Sequence, residues 1–471
     1  MYELFEALTA HAVVTPDKIA VQQSDGQSLT YGGLLAAIED VRRRIPDNAT
    51  TIAVRGIASA AWIVADLAVS FSGRRLVPLP FFFSKEQTNH LVHAACVDLI
   101  IDTEETSGID AEEPHCPTLK LPLHAIVSQT SPVSLPSYDG GAERIIFTSG
   151  TTGRPKGVIH SDRQTDHAIS AISIAAMASA RDRHLCLLPH ALLLEQIAGY
   201  MVPLTMGAEI VIATDAVLGA LANNGEAVAT AISAAQPSTA IMVPGQLSAL
   251  TRHAAMTGWR PPSSLRLVAV GGAPLGSTTL NDALAIGLPV RFGYGLSECC
   301  SVVAFPRDTT FPVIEPHMPD VGTPLPESDV WIEDGEIVVR SPGVMNGYLG
   351  QPPLQTDIWH TGDTGHLSSN GQLTVTGRRD RLLVLPNGRN VSPEWVETCA
   401  LQVAPVAQAR LKLEADGRLI LETQANEPTT PNFIDRMTDV LRVLPGYARP
   451  SRVIVRNNAG VEQLGVDLTY I

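Results

Sequence analysis

The sequence predicts an α/β fold: a large N-terminal domain of stacked, mostly parallel sheets with helices, followed by a small mobile α+β C-terminal domain. Three observations carry this expectation. "LTYGGLLAAIEDVRRRI" has apolar residues at helical spacing, whereas "TIAVRG" and "VDLIID" are short apolar runs typical of buried strands. Strands separated by helices need crossover connections, and crossovers make neighbouring strands parallel. Beyond Asp380 the pattern changes to a helix at "PEWVETCAL", a strand pair around the turn "EADGR", a helix at "PNFIDRMTDVLRVL" and a strand at "RVIVR". We place the boundary at Arg379–Asp380, giving domains 1–379 and 380–471.

Between these landmarks the elements follow in order. "LVPLPFFFSKEQ" carries three successive phenylalanines, read as core packing, before a helix N-cap at Ser84. Residues 102–143, rich in Pro, Ser and acid, read as a surface excursion with room for one strand. "RLVAVGG", "LPVRFGYG", "DVWIEDGEIVVRS" and "GQLTVTGRRDRLLVLPNGRNVSP" add strands punctuated by glycine and turn dipeptides.

At 471 residues, with 45% hydrophobic and 17% charged, the chain has enough apolar surface for one large core and a smaller one. A net charge of −15 argues against tracking nucleic-acid phosphates or anionic lipid, so bound phosphate must be held by a few placed groups. Six cysteines form no CxxC pair and no His-Cys ligand spacing, which argues against disulfides and zinc and fits a reducing cytoplasm. The N-terminus lacks the build of a signal peptide. The most apolar region, "CLLPHALLLEQIAGYMVPLTMGAEIVIA", is broken by Pro189, Glu195 and Pro203 and is read as no membrane span.

After the apolar strand "RIIF" comes "TSGTTGRPKGVIH", residues 148–160. Its glycines free the backbone, its hydroxyls and N–H groups suit an anion, and Lys156 supplies the countercharge. Further on stand "VGGAPL" (270–275), "GYGLSE" (293–298), "HTGDTG" (360–365) and the segment from Thr376 to Glu397. In this order the motifs resemble those of the adenylate-forming superfamily of acyl-CoA synthetases, peptide-synthetase adenylation domains and luciferases. The chain is most similar in character to bacterial fatty acyl-CoA or acyl-carrier ligases.

The resemblance implies a reaction in two halves. A carboxylate attacks the α-phosphorus of ATP and expels pyrophosphate; the acyl-adenylate then passes its acyl group to a thiol or amine. It implies that Thr148, Ser149, Gly150, Thr151, Thr152, Gly153 and Lys156 hold the β- and γ-phosphates, and that Glu298 holds Mg²⁺, a hard cation suited to carboxylate oxygen. Ser297 stands where the family usually has threonine, with its hydroxyl toward the α-phosphate. Tyr294 would stack on adenine between Gly293 and Gly295, with Gly272 and Ala273 beside it. Asp363 and Arg378 would bind the ribose hydroxyls, and Asp380 would be the hinge about which the small domain turns between half-reactions.

Acid specificity is expected from residues 187–208 and from His190, Leu192, Glu195 and Gly271. No aspartate falls between Asp182 and Asp215 to pair a substrate ammonium, which argues against an amino acid. Glu195–Gln196 resembles the Glu-Arg of long-chain fatty acyl-CoA synthetases, and Leu192 makes the wall apolar. An aliphatic acid gains about 0.8 kcal/mol per buried CH₂ in such a wall, so an aliphatic acid is expected ahead of an aryl one. The acceptor is expected to be CoA or the phosphopantetheine of a separate acyl carrier protein.

One motif departs from the family. Its C-terminal catalytic lysine would fall at Gly465, and the last lysine in the chain is Lys412. Losing one preorganised cation at a phosphate transition state costs on the order of 10²–10³ in rate. Arg449, Arg452 and Arg456 are the nearby replacements. The readings are therefore a working ligase, an acyltransferase fed with preformed acyl-adenylate, or a pseudoenzyme that binds nucleotide or acyl ligand.

Overall fold

The computed structural model describes residues 1–104, 116–122, 138–148, 155–222, 224–310, 318–386, 389–403, 406–414, 417–425, 432–457 and 466–467. Two seven-stranded sheets dominate the large domain. In the first, strands Val290–Phe292, Leu267–Val270, Thr239–Met242, Arg183–Cys186, Glu209–Ile212 and Ile19–Gln23 run parallel, and Ser28–Thr30 closes the edge antiparallel. In the second, Glu143–Thr148, Arg75–Leu79, Thr51–Arg55, Leu99–Asp102 and Thr118–Lys120 are parallel. Lys156–Ser161 and Gly347–Tyr348 extend that sheet antiparallel.

The largest core fills the space between the sheets with helices Tyr2–Val14, Tyr31–Arg44, Ala60–Phe71 and Asp162–Ala175. A second core covers the other face of the first sheet, and a third belongs to the C-terminal domain alone. The amphipathic helix expected from the sequence begins at Tyr31, where the Thr30 hydroxyl accepts from the Gly33 N–H at 3.1 Å. Ser84 likewise caps Lys85–Ala95, accepting from Gln87 N–H at 3.2 Å.

Strand Asn390–Val391 lies ahead of helix Pro393–Leu401 in the small domain. There, Leu419–Ala425 pairs antiparallel with Val406–Leu413 and parallel with Arg452–Asn457, and helix Phe433–Arg442 joins the same core. Asp380 sits in the short turn Arg379–Arg381 that follows strand Leu373–Arg378.

The segment 187–208 departs from a simple helix. Pro189 keeps its first part irregular, and the helix begins as a widened π-turn, Glu195–Met201, before Val202–Met206. Gly199 permits this: a Cβ there would lie 2.6 Å from the Glu195 carboxyl carbon.

A buried charge joins these layers. Arg144, on the strand leading to Thr148, donates to Asp66 Oδ2 and Oδ1 at 2.6 and 2.8 Å and to Gln196 Oε1 at 2.7 Å. Tyr200 donates its phenol to Asp66 Oδ2 at 2.7 Å, and Gln196 Nε2 donates to the His190 carbonyl at 2.9 Å. Burial opposes charge on Arg144, but Asp66 outweighs it and keeps the guanidinium protonated. Replacing Asp66→Ala leaves this cation buried and unpaired, so we expect a loss of about 3–5 kcal/mol in denaturant unfolding. A loss within error of zero would show that the pair is not needed.

Candidate active site

A cavity of about 570 Å³ runs along the inner face of the first sheet. Its mouth lies at the carboxyl ends of the parallel strands, where Val243, Gly271 and Tyr294 line it, the position at which open α/β sheets bind ligands. Leu188, Leu192, Phe147 and Phe305 make its walls apolar, and Asp182 and Arg266 close the far end. These last two are paired at 2.7 Å.

The "GYGLSE" motif forms strand Tyr294–Leu296 and the turn Ser297–Cys299. Gly295 has no room for a side chain, since a Cβ would stand 1.8 Å from the Ser301 carbonyl oxygen. At the neighbouring turn Gly272 takes φ +83°, a left-handed conformation that favours glycine. Gly272 lines the cavity, it and Ala273 are exposed, and Gly293 is half-buried beside Tyr294.

Three of the expected nucleotide residues meet in one cluster. Strands Ile358–Leu367 and Leu373–Arg378 place Asp363 opposite Arg378. Tyr294 donates its phenol to Asp363 Oδ2 at 2.5 Å, and Arg378 Nη1 donates to Asp363 Oδ1 at 3.1 Å. Arg378 also reaches the Thr361 carbonyl and, through Nε, Asp380 Oδ1 at 3.2 Å. Burial raises the Asp363 carboxyl, opposed by the bonds from Tyr294 and Arg378. The same burial, with Asp363 beside it, pushes the Tyr294 phenol far up, so it stays a donor.

A second cluster stands where strands Glu143–Thr148 and Lys156–Ser161 pair. Thr148 and Lys156 are cross-strand partners, so the hairpin brings both ends of "TSGTTGRPK" together. Ser149, Gly150, Thr151, Thr152 and Gly153 lie outside the described residues. The Lys156 ammonium stands 5.6 Å from the centre of the Tyr348 ring, and the Tyr348 phenol donates to Glu298 Oε1 at 2.8 Å. Glu298 is held from behind by Met345 N–H to its carbonyl at 2.8 Å. Ser297 and Thr148 line the cavity mouth. Tyr348 was not expected from the sequence; its position depends on a two-residue strand, Gly347–Tyr348, too short to show any periodicity.

The expected acid-pocket residues divide. Leu192 and Gly271 line the cavity, whereas His190 and Glu195 are fully buried outside its lining. Residues 187–208 turn two faces inward, and the π-turn assigns Glu195 to the core face. His190 Nδ1 accepts from Ser59 N–H at 3.4 Å, and its ring meets Trp62 and Tyr200 edge-on. The phenylalanine run is not simple core either: Phe82 and Phe83 line the cavity, and Phe82 is 44% exposed.

Gly465 lies outside the described residues, while Val466 and Asp467 pair with Val453 and Arg452. Arg449 donates to the Leu444 and Arg442 carbonyls at 2.8 and 2.6 Å, and Arg456 pairs with Glu422 at 3.7 Å. Two of the three replacement cations are thus engaged within their own domain.

Two measurements follow. Tyr348→Phe should lower any ATP-dependent activity about tenfold while unfolding is unchanged, because it removes the donor that orients Glu298; full activity would detach Tyr348 from the site. Burial lowers His160 and His190 from 6.5 to about 3. Their folded values lie below their unfolded ones, so stability is present above pH ~6.5 and is lost as pH falls toward ~3. The slope is about 1.4 kcal/mol per pH unit for each group. Urea midpoints measured from about pH 7 to about pH 5 should fall accordingly, and His190→Asn should flatten the curve; a flat wild-type curve would contradict this.

Comparison with known proteins places this geometry. Residues 8–349 match the model of the AMP-binding enzyme family. A 2-succinylbenzoate–CoA ligase of Bacillus licheniformis is 29% identical over 430 residues, covering 86% of this chain and 85% of that one. Among solved structures, o-succinylbenzoate CoA synthetase from Bacillus subtilis in complex with its acyl-adenylate intermediate superposes with a TM-score of 0.77 at 22% identity, covering 95% and 94%. The anthranilate CoA ligase AuaEII in complex with anthranoyl-AMP gives a TM-score of 0.80 at 18% identity, covering 98% and 95%. With the matched model spanning strands Glu143–Thr148 and Lys156–Ser161, the "GYGLSE" turn and Tyr348, the chain belongs to the AMP-binding enzyme family of the adenylate-forming superfamily.

Proposed function

We propose that the chain is an ATP-dependent, AMP-forming acid–thiol ligase that activates an aryl carboxylic acid and transfers the acyl group to CoA. One observation carries the reading: the apolar cavity is lined by Tyr294, which bonds Asp363, and by Thr148 and Ser297, the strand partner of Lys156 and the chain neighbour of Glu298. An acid whose body fills the cavity presents its carboxylate where ribose-binding and phosphate-binding groups converge.

In the first half-reaction a carboxylate oxygen forms a bond to the α-phosphorus as the bond to pyrophosphate breaks. Lys156 and the loop donors meet the charge on the departing phosphates, and Ser297 faces the α-phosphate. Glu298 keeps one carboxylate oxygen beyond the one bonded to Tyr348, a hard donor suited to Mg²⁺, which when bound would neutralise phosphate charge. Asp363 and Arg378 hold the ribose. In the second half-reaction the CoA sulfur forms a bond to the acyl carbon, AMP leaves with the bonding pair, and the thiol proton passes to solvent. Asp380, bonded to Arg378 in the turn after strand Leu373–Arg378, would act as the hinge.

The aryl acid is preferred here over the aliphatic acid expected from the leucines of 187–208. The relatives named above act on 2-succinylbenzoate and bind anthranoyl-AMP, and Phe147 and Phe305 offer ring faces in the cavity. With glycine at 465 and Arg449 and Arg456 engaged elsewhere, adenylation should be the slower half-reaction.

ATP–pyrophosphate exchange with benzoate derivatives, medium-chain fatty acids and amino acids tests the reading. Aryl acids should exchange fastest, Glu298→Gln should abolish exchange, and CoA should then yield an aryl-CoA. Faster exchange with fatty acids would return the acid to the aliphatic class. Silence with every acid, alongside turnover of synthetic acyl-adenylate, would leave only the transferase half.

A further inference from the structure

Beneath the cavity lies a group of side chains that the ligase reaction does not use. His184 and Cys186 occupy alternate positions of strand Arg183–Cys186 and so project from one face of the sheet. Glu195 comes from the π-turn packed over that face. A ring nitrogen of His184, the Cys186 sulfur and a Glu195 oxygen lie within 4.8 Å of one another, and all three side chains are buried. Among the described residues this is the one such cluster.

We propose that His184, Cys186 and Glu195 form a buried binding site for a divalent transition-metal ion, with zinc the best match. The donor set is one imidazole nitrogen, one thiolate and one carboxylate, a mixture typical of zinc. Three features of the site fit an ion. Neither oxygen of Glu195 meets a hydrogen-bond donor other than the Cys186 thiol, although the residue is 0% exposed. His184 Nε2 has no partner, while Nδ1 lies 2.9 Å from Thr239 Oγ1, the outer hydrogen bond that typically orients a metal-bound imidazole. Gly199 vacates the space that the Glu195 carboxyl fills, and π-turns of this sort recur at functional positions.

Charge points the same way. A buried carboxylate and a buried thiolate are each costly alone, but together they balance one divalent cation. The site is independent of which acid the enzyme activates. His184 also borders the cavity, so the ion would fix part of its floor.

The test uses the full-length protein. After dialysis against chelator, titration with Co²⁺ should give about one equivalent bound per chain, with tetrahedral visible bands and a near-ultraviolet thiolate-to-cobalt charge-transfer band. Zn²⁺ should displace it and raise the melting temperature. Cys186→Ser should remove the charge-transfer band, Glu195→Gln should weaken Co²⁺ at least tenfold, and Thr239→Val about tenfold. Glu298→Gln should leave the band in place, which separates this ion from any Mg²⁺ of the ligase site. Circular dichroism shows whether each variant is folded, and the wild-type spectrum alone suffices if one is not. No charge-transfer band in wild type, or a band that survives in folded Cys186→Ser, overturns the proposal in favour of a protonated Glu195 hydrogen-bonded to the thiol.

Discussion

The ion pair between Arg144 and Asp66 is the constraint on which the rest of the site depends. Arg144 belongs to the strand that delivers the phosphate loop; Asp66 belongs to a helix between the two sheets; Gln196 and Tyr200 belong to the turn behind the cavity wall. One guanidinium with five donors in a fixed fork thereby ties the strand ending at Thr148 to the π-turn behind the cavity wall. A hydrophobic contact could bury the same area without fixing that register. The arrangement suits an enzyme whose two reactants must meet at a defined point, since small misplacements there are costly in rate.

The two polar clusters at the cavity mouth are built on different principles. The Asp363 cluster is made of paired strands, so that Asp363 and Arg378 face each other through backbone register. The Glu298 cluster is made of tertiary contacts, with Tyr348 relating Lys156 and Glu298 across elements distant in sequence. The first is fixed by backbone register, and the second rests on side-chain contacts alone.

Much of this was legible in the sequence. Short apolar runs between amphipathic helices announced the parallel sheets, and the glycine-rich motifs announced the turns at the carboxyl ends of strands. Asp363 and Arg378, named from two separate motifs, face each other across paired strands, and Glu298 meets Tyr348 instead. What remained hidden depended on facing direction. Nothing local distinguishes Glu195, turned to the core, from Leu192, turned to the cavity, because a π-turn shifts the angular spacing that a helical reading assumes. Likewise His184 and Cys186, two apart on a strand, match no spacing used to recognise metal ligands. Their meeting with Glu195 is a property of tertiary packing.

The paired Asp182 and Arg266 at the inner end of the cavity also have a bearing on size. From Gly271 to Arg266 the strand spans roughly 15 Å at the usual rise per residue. An acid body lying along it meets charge where its tail would end. Arg266 also donates to the Ala176 and Met177 carbonyls, so that charge is anchored. Arg266 and both oxygens of Asp182 are already hydrogen-bonded, so this end of the cavity is polar and rigid. The cavity is thus apolar along its walls and ends on a fixed pair of charges.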